Sequence, residues 1–205
     1  MNQLTRSDAG VQRAMNFHLQ PGEPKAPVDL RQLAVGLHQE FESLGLFADY
    51  GDMCLVMALA LQKVFTHLRM RAVVKHCTLV IAHEDGAFLL GFQETNAKVA
   101  PDLIDAHAVC VLEGKLLFDF GLGQARKAWN IPVHDSAVAA YTPQSAVLAT
   151  HFADHCAYVW MDEPRRNPRV RAITEGNTVL AGKLFQRWLA ARNAPRCQPR
   201  WAATA

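Results

Sequence analysis

The chain has 205 residues, half of them hydrophobic, with 21 basic and 19 acidic side chains and a formal charge of +2 at pH 7. That length suits one domain with a substantial core, and so small a charge excludes an electrostatic footprint for nucleic acid or a membrane surface. No secretory signal opens MNQLTRSDAGVQRAMNF, and no apolar run approaches the roughly 18 to 20 residues that span a bilayer. A cytoplasmic protein is expected, with non-classical export left open.

Residues 1–28 are polar and end in QPGEPKAPVD, where Pro21, Pro24 and Pro27 rule out a continuous helix, so a partly ordered arm is expected. Asp29 then reads as the N-cap of LRQLAVGLHQEFESLGLF, an amphipathic helix with Leu30, Leu33, Leu37, Phe41 and Leu44 on one face. A break over Asp49 to Asp52 follows. Cys54 opens a second segment, CLVMALALQKVF, that is apolar on nearly every side and therefore a buried central helix ending near His67 to Arg69. Next come β-rich MRAVVKHCTLVIAH, a polar turn at Glu84-Asp85-Gly86 and the strand AFLLGF. Gln93 to Asp102 reads as a loop.

Two further strands, IDAHAVCVLE and KLLFDF, are joined by a tight turn around Gly114. GLGQARKAWNIPVHD is read as a short helix followed by a loop. SAVLATHF and CAYVWMDE are read as two more strands, and TVLAGKLFQRWLAARN as a closing helix. Residues 195–205 form a tail. Helices, then a meander of strands, then a helix describe an α+β domain over residues 29–194 with a mostly antiparallel sheet.

The five cysteines (Cys54, Cys77, Cys110, Cys156, Cys197) are odd in number and show no CxxC pair, which argues against a disulfide framework and a thiolate zinc site. Cys77, Cys110 and Cys156 lie in apolar strands and read as core; Cys197 is in the tail. Cys54 differs because it stands at a helix start, where the positive end of the helix dipole favours a thiolate. A nucleophilic thiol also needs a base and a group to orient that base. His107 interrupts the apolar strand DAHAVCV, where packing has no use for an ionisable ring. Asp119, between two phenylalanines in LLFDF, is a carboxylate that needs a partner if buried.

His107 and Asp119 share a sheet face only if the hairpin turn has the right parity. A three-residue connection, Glu113-Gly114-Lys115, pairs Leu112 with Leu116 and sets Asp119 opposite Val109, diagonal to His107. A two-residue turn would put them on opposite faces. The triad hypothesis therefore predicts the turn.

The ordered set of Cys54 at a central helix start, HAVCVLEGK and LLFDF, over roughly residues 50–122, resembles the papain-like and transglutaminase-like cysteine enzymes, in particular small bacterial members of unassigned function. The resemblance implies a central helix packed on an antiparallel sheet, with Cys54 as nucleophile, His107 as general base and acid, and Asp119 as the orienting carboxylate. It implies no cofactor. Val109 stands where an aromatic is common two residues after the histidine, and neither a CGSCW motif nor a nearby upstream glutamine accompanies Cys54. The oxyanion donors left to this chain are the backbone N–H of Cys54 and Tyr50.

What this resemblance implies is a thiol hydrolase acting on an amide or peptide bond of a substrate that includes proteins or peptides among its candidates. Deamidation or acyl transfer on the same triad, and a non-catalytic binding domain using the groove or the basic C-terminal surface, are the alternatives. The His151/His155 pair in HFADH has i, i+4 spacing, but the glutamate position of a zinc HExxH motif is Phe152 and no third ligand suggests itself, so no metal is assigned. GLGQAR lacks a phosphate-loop spacing and reads as a turn by which the chain leaves the sheet. The arginine clusters Arg165, Arg166, Arg169, Arg171 and Arg187, Arg192, Arg196, Arg200 read as solvated faces or tails. Oligomeric state and substrate identity are not legible.

Overall fold

The structure is a computed structural model and describes residues 28–84, 86–90, 107–129, 133–153, 155–162 and 168–194. The arm before Val28, the stretch from Gln93 to Asp102 and the tail from residue 195 lie outside the described residues. Helix α1 runs Val28–Ser43. It therefore already contains Asp29, which is not its N-cap; helix ends read from pattern alone are uncertain by a residue or two. Its Leu30, Leu33, Leu37 and Phe41 are buried, as the spacing requires. The helix stops earlier than the apolar pattern suggests. Gly45 takes φ +67°, a left-handed conformation that residues with a β-carbon rarely adopt, and ends the run. A single further turn, α2 (Leu46–Tyr50), fills part of the expected break.

Helix α3 (Cys54–His67) begins at the cysteine and buries ten of its fourteen residues. Strand β1 (Ala72–His83) is long enough to serve three partners. Its first half pairs with β3 (His107–Leu112) and its second half with β2 (Gly86–Leu90), both along one edge. The opposite edge pairs with β7 (Cys156–Asp162), which in turn pairs with β6 (Val147–Ala153). Beyond β3 lie β4 (Leu116–Asp119) and β5 (Ala137–Ala140). Every pairing is antiparallel, giving one seven-stranded sheet with the order β5-β4-β3-β1-β7-β6 and β2 on β1. The domain is thus α+β with an antiparallel sheet.

Strand β5 is an addition to the sequence reading. It is rich in alanine, a residue of low strand preference, and becomes a strand because Leu117 and Phe118 of β4 present a ladder for Ala139 and Val138. Helix α4 (Gly123–Trp129) falls where a short helix was expected. The last helix, α5 (Pro168–Asn193), is ten residues longer at its start than the reading from Thr178. Gly176 and Asn177 weaken local propensity and hide those turns, while Pro168 suits a first helical position. Arg187 and Arg192 are not merely solvated. Arg187 binds Asp49 and the Leu44 carbonyl, and Arg192, which lies over the ring of Trp188 one turn earlier in the same helix at 5.2 Å, also stands 4.0 Å from Glu40 of α1, so both tie α5 to its neighbours.

The sheet separates two hydrophobic cores. On its outer face Ala108, Cys110, Leu112, Leu116 and Phe118 pack against α1, α3 and α5, with Trp188 donating to Glu40 at 2.6 Å. On its inner face Leu79, Ile81, Val109, Leu117, Ala139, Leu148, Tyr158 and Trp160 pack on one another. The sheet curls around this second core until its outer strands meet, where the Thr142 N–H donates to the Leu148 carbonyl at 2.7 Å. No helix among the described residues is long and apolar enough to cross a membrane.

Candidate active site

The β3–β4 hairpin has the turn that the triad required. Glu113 and Gly114 take φ of 51° and 62°, and the Lys115 N–H donates to the Leu112 carbonyl at 2.9 Å. Leu112 pairs with Leu116, Val111 with Leu117 and Cys110 with Phe118, so the next step sets Asp119 beside Val109 on the inner face, diagonal to His107. The two side chains meet. His107 Nε2 lies 2.6 Å from Asp119 Oδ2, and neither residue is exposed.

A buried carboxylate needs donors, and among the described residues Asp119 has three. Besides His107, the Trp160 indole Nε1–H donates to Oδ2 at 2.8 Å and the Gly121 N–H donates to Oδ1 at 3.0 Å. Nε2 is taken by Asp119, and Nδ1 is buried with no hydrogen-bond partner among the described residues, while the Cys54 thiol is close enough to act on the ring electrostatically. Burial works against the charged ring most strongly. The charge and hydrogen bond of Asp119, joined by Cys54, outweigh that and raise His107 from 6.5 to about 10.

Cys54 is held at this end of the sheet by glycine contacts. A β-carbon on Gly121 would stand 2.5 Å from the Cys54 Cα and 2.6 Å from its Cβ, and one on Gly123 would stand 2.8 Å from the Gly51 carbonyl oxygen. The segment leaving β4 therefore lies directly on the mouth of α3. GLG after Asp119 is the exit turn that the sequence suggested, and its glycines also admit the cysteine. The helix start has no side-chain cap and no acidic residue in its first turn, so the positive end of the dipole is open to a thiolate there. Cys54 itself is 7% exposed and the preceding Met53 is 40% exposed, so the thiol lies just beneath the surface of the described residues. Tyr50 closes α2; its carbonyl accepts from the Met53 N–H at 2.9 Å and its ring packs on the outer-face core. At the rim Lys127 pairs with Asp52 at 2.5 Å.

The other thiols have different surroundings. Cys77 is the cross-strand partner of His107, but burial first, and then the charges of Asp119 and Cys54, push its pKa well up. Burial also pushes up the thiol of Cys110. Neither is suited to act as a nucleophile. His151 and His155 do not share a helix face. His151 is buried on β6 against the Tyr158 ring, with centroids 5.9 Å apart, and His155 occupies the turn to β7 at φ 65°.

Cys54, His107 and Asp119 are thus brought together, while Trp160, Gly121 and Cys77 were not read from sequence as parts of the site. Alternation of Tyr158 and Trp160 in CAYVWMD marks an inward face of a strand, but nothing local tells that its indole reaches Asp119. No family model, no curated protein and no solved structure matches this chain.

Proposed function

We propose that the protein is a thiol hydrolase of papain-like or transglutaminase-like fold that cleaves an amide or peptide bond through Cys54, His107 and Asp119. The observation that carries this reading is the buried 2.6 Å contact of His107 Nε2 with Asp119, which leaves Nδ1 buried and without a hydrogen-bond partner among the described residues, in a ring that the cysteine of an uncapped helix start acts on electrostatically. A carboxylate on one side of an imidazole and a thiol on the other is the arrangement that makes sulfur nucleophilic.

In the proposed reaction the proton shared by Cys54 and His107 resides on the ring, and the sulfur attacks the carbonyl carbon. The oxyanion forms at the mouth of α3, where first-turn amides have no acceptor within the helix. His107 gives its proton to the departing amine, leaving an acyl group on Cys54. Water then loses a proton to His107 as it attacks the thioester, and the thiol is restored when the acid leaves. Asp119 fixes the ring throughout and remains ionised.

The test is alkylation by iodoacetamide, followed at the Cys54 peptide, in wild type and His107→Ala, alongside a screen of amide, ester and thioester substrates that includes Cys54→Ala. Fast modification with a pH midpoint below about 7.5, slowed by loss of His107, is expected. Modification at the rate and midpoint of an ordinary thiol in both proteins would refute the catalytic reading. Adding an amine acceptor separates hydrolysis from transfer, since only a transferase forms the new amide.

A further inference from the structure

Strands β3 and β1 lie between β4 and β7. In a flat sheet with strands about 4.8 Å apart, β4 and β7 would lie about 14 Å from one another, and the register sets Trp160 further along the sheet, opposite Leu79, than Asp119, which stands level with Lys75. The indole nevertheless reaches Oδ2 at 2.8 Å, because the sheet curls and both side chains point into its concave side. Trp160 is fully buried and stacks on Tyr158 with centroids 6.0 Å and planes 15° apart. Its orientation is therefore fixed by packing.

We propose that Trp160 is a positioning residue, acting through Asp119: its indole N–H holds that side chain as a carboxylate facing His107 and thereby sets the lower pH limit of Cys54 reactivity. This rests on the triad reading of the site. In a dry interior a carboxylate tends to take up a proton, and each N–H that donates to it favours the charged form. An indole is suited to the task because it donates only, never accepts, and brings no charge that competes with the imidazolium. Without it, Asp119 keeps the Gly121 N–H and His107, gains its proton at higher pH and ceases to support the charged ring.

Among the described residues, the titratable or charged groups facing Asp119 and its partners are few. They are His107 from β3, Cys54 from α3, Cys77 and Lys75 from β1, Tyr158 and Asp162 from β7, His151 from β6 and Tyr141 after β5. Lys75 is paired with Asp162 at 3.2 Å, with about a third of each side chain exposed, so its charge is balanced at the rim.

The experiment measures Cys54 alkylation against pH in the full chain for wild type, Trp160→Phe and Tyr158→Phe. It also includes a chain carrying benzothienylalanine at 160, an isostere of tryptophan that lacks the N–H. Loss of the N–H should move the acid limb upward by about one pH unit in both 160 variants, while Tyr158→Phe, which leaves the indole in place, keeps the wild-type limb. If Trp160→Phe does not fold, the isostere supplies the comparison. Limbs that coincide with wild type, or that move equally in Tyr158→Phe, overturn the proposal. Carbon-13 NMR of the Asp119 carboxyl gives a second readout that needs no reactive thiol. An ordinary thiol at Cys54 would remove the enzyme reading, while an Asp119 midpoint raised in the isostere would still uphold the action of Trp160 on the carboxylate. An unmoved midpoint overturns it.

Discussion

Replacing Gly121 with alanine should damage the site more than its single methyl group suggests. The added carbon would lie 2.5 Å from the Cys54 Cα, with ordinary contact beginning near 3.4 Å, so the β4 exit and the mouth of α3 must part by about 0.9 Å. Both sides of that contact are backbone, or side chain attached directly to it, and neither can rotate away. Overpacking of this kind costs about 1–3 kcal/mol, which for a domain of this size lowers the melting temperature by roughly 2–12 °C. A displacement near 1 Å between nucleophile and base costs on the order of 10²-fold in rate. The same shift pulls the Gly121 N–H from Asp119 Oδ1, now at 3.0 Å. Calorimetry together with the Cys54 alkylation rate provides the assay, with Gly123→Ala as comparison. That second substitution meets the Gly51 carbonyl at 2.8 Å and should lower stability with a smaller loss of thiol reactivity. Wild-type melting and wild-type reactivity in Gly121→Ala would refute the argument that close backbone approach places the cysteine.

Two other outcomes follow from the hairpin and its charges. Deleting Gly114 leaves a two-residue connection and reverses the face on which Asp119 emerges; Cys54 reactivity should fall to that of His107→Ala, and a retained pH midpoint would contradict the register argument. His107 titrates at about 10 in the folded chain against an ordinary 6.5. Its raised value stabilises the fold fully below about pH 6.5, and that contribution disappears as the pH rises through about 10. Urea midpoints of wild type relative to His107→Gln should therefore converge between those limits, and a constant gap across that window would count against the assignment.

The parts of the molecule legible in the sequence are those governed by local pattern. Leu30 through Phe41 define a helix by their spacing, and Cys54 can be placed at the start of α3 because Gly51 and Asp52 interrupt the chain just before an all-round apolar run. Parity alone tied His107 to Asp119 through a three-residue turn. What escaped depends on pieces of chain meeting in space. Ala137–Ala140 carries no strand signal of its own and pairs because β4 offers an edge. Residues 168–177 continue a helix through Gly176, against propensity. The donor from Trp160 is 41 positions from Asp119 and depends on the curl of a whole sheet. Gly121 illustrates the boundary between the two kinds of information: its role in a turn is readable, whereas its contact with a cysteine 67 positions earlier is not.

The complete burial of His107 has a further consequence for proton traffic. With Nε2 closed by Asp119 and the ring fully buried among the described residues, its one open position is Nδ1, and Cys54 is the thiol that acts on it electrostatically. Whatever molecule occupies the mouth above Cys54 therefore stands between the imidazole and bulk solvent. In the proposed reaction a proton lodged there while an acyl group is being transferred would have the departing amine as its nearest outlet, so occupancy of the mouth would itself decide when the ring equilibrates with the medium.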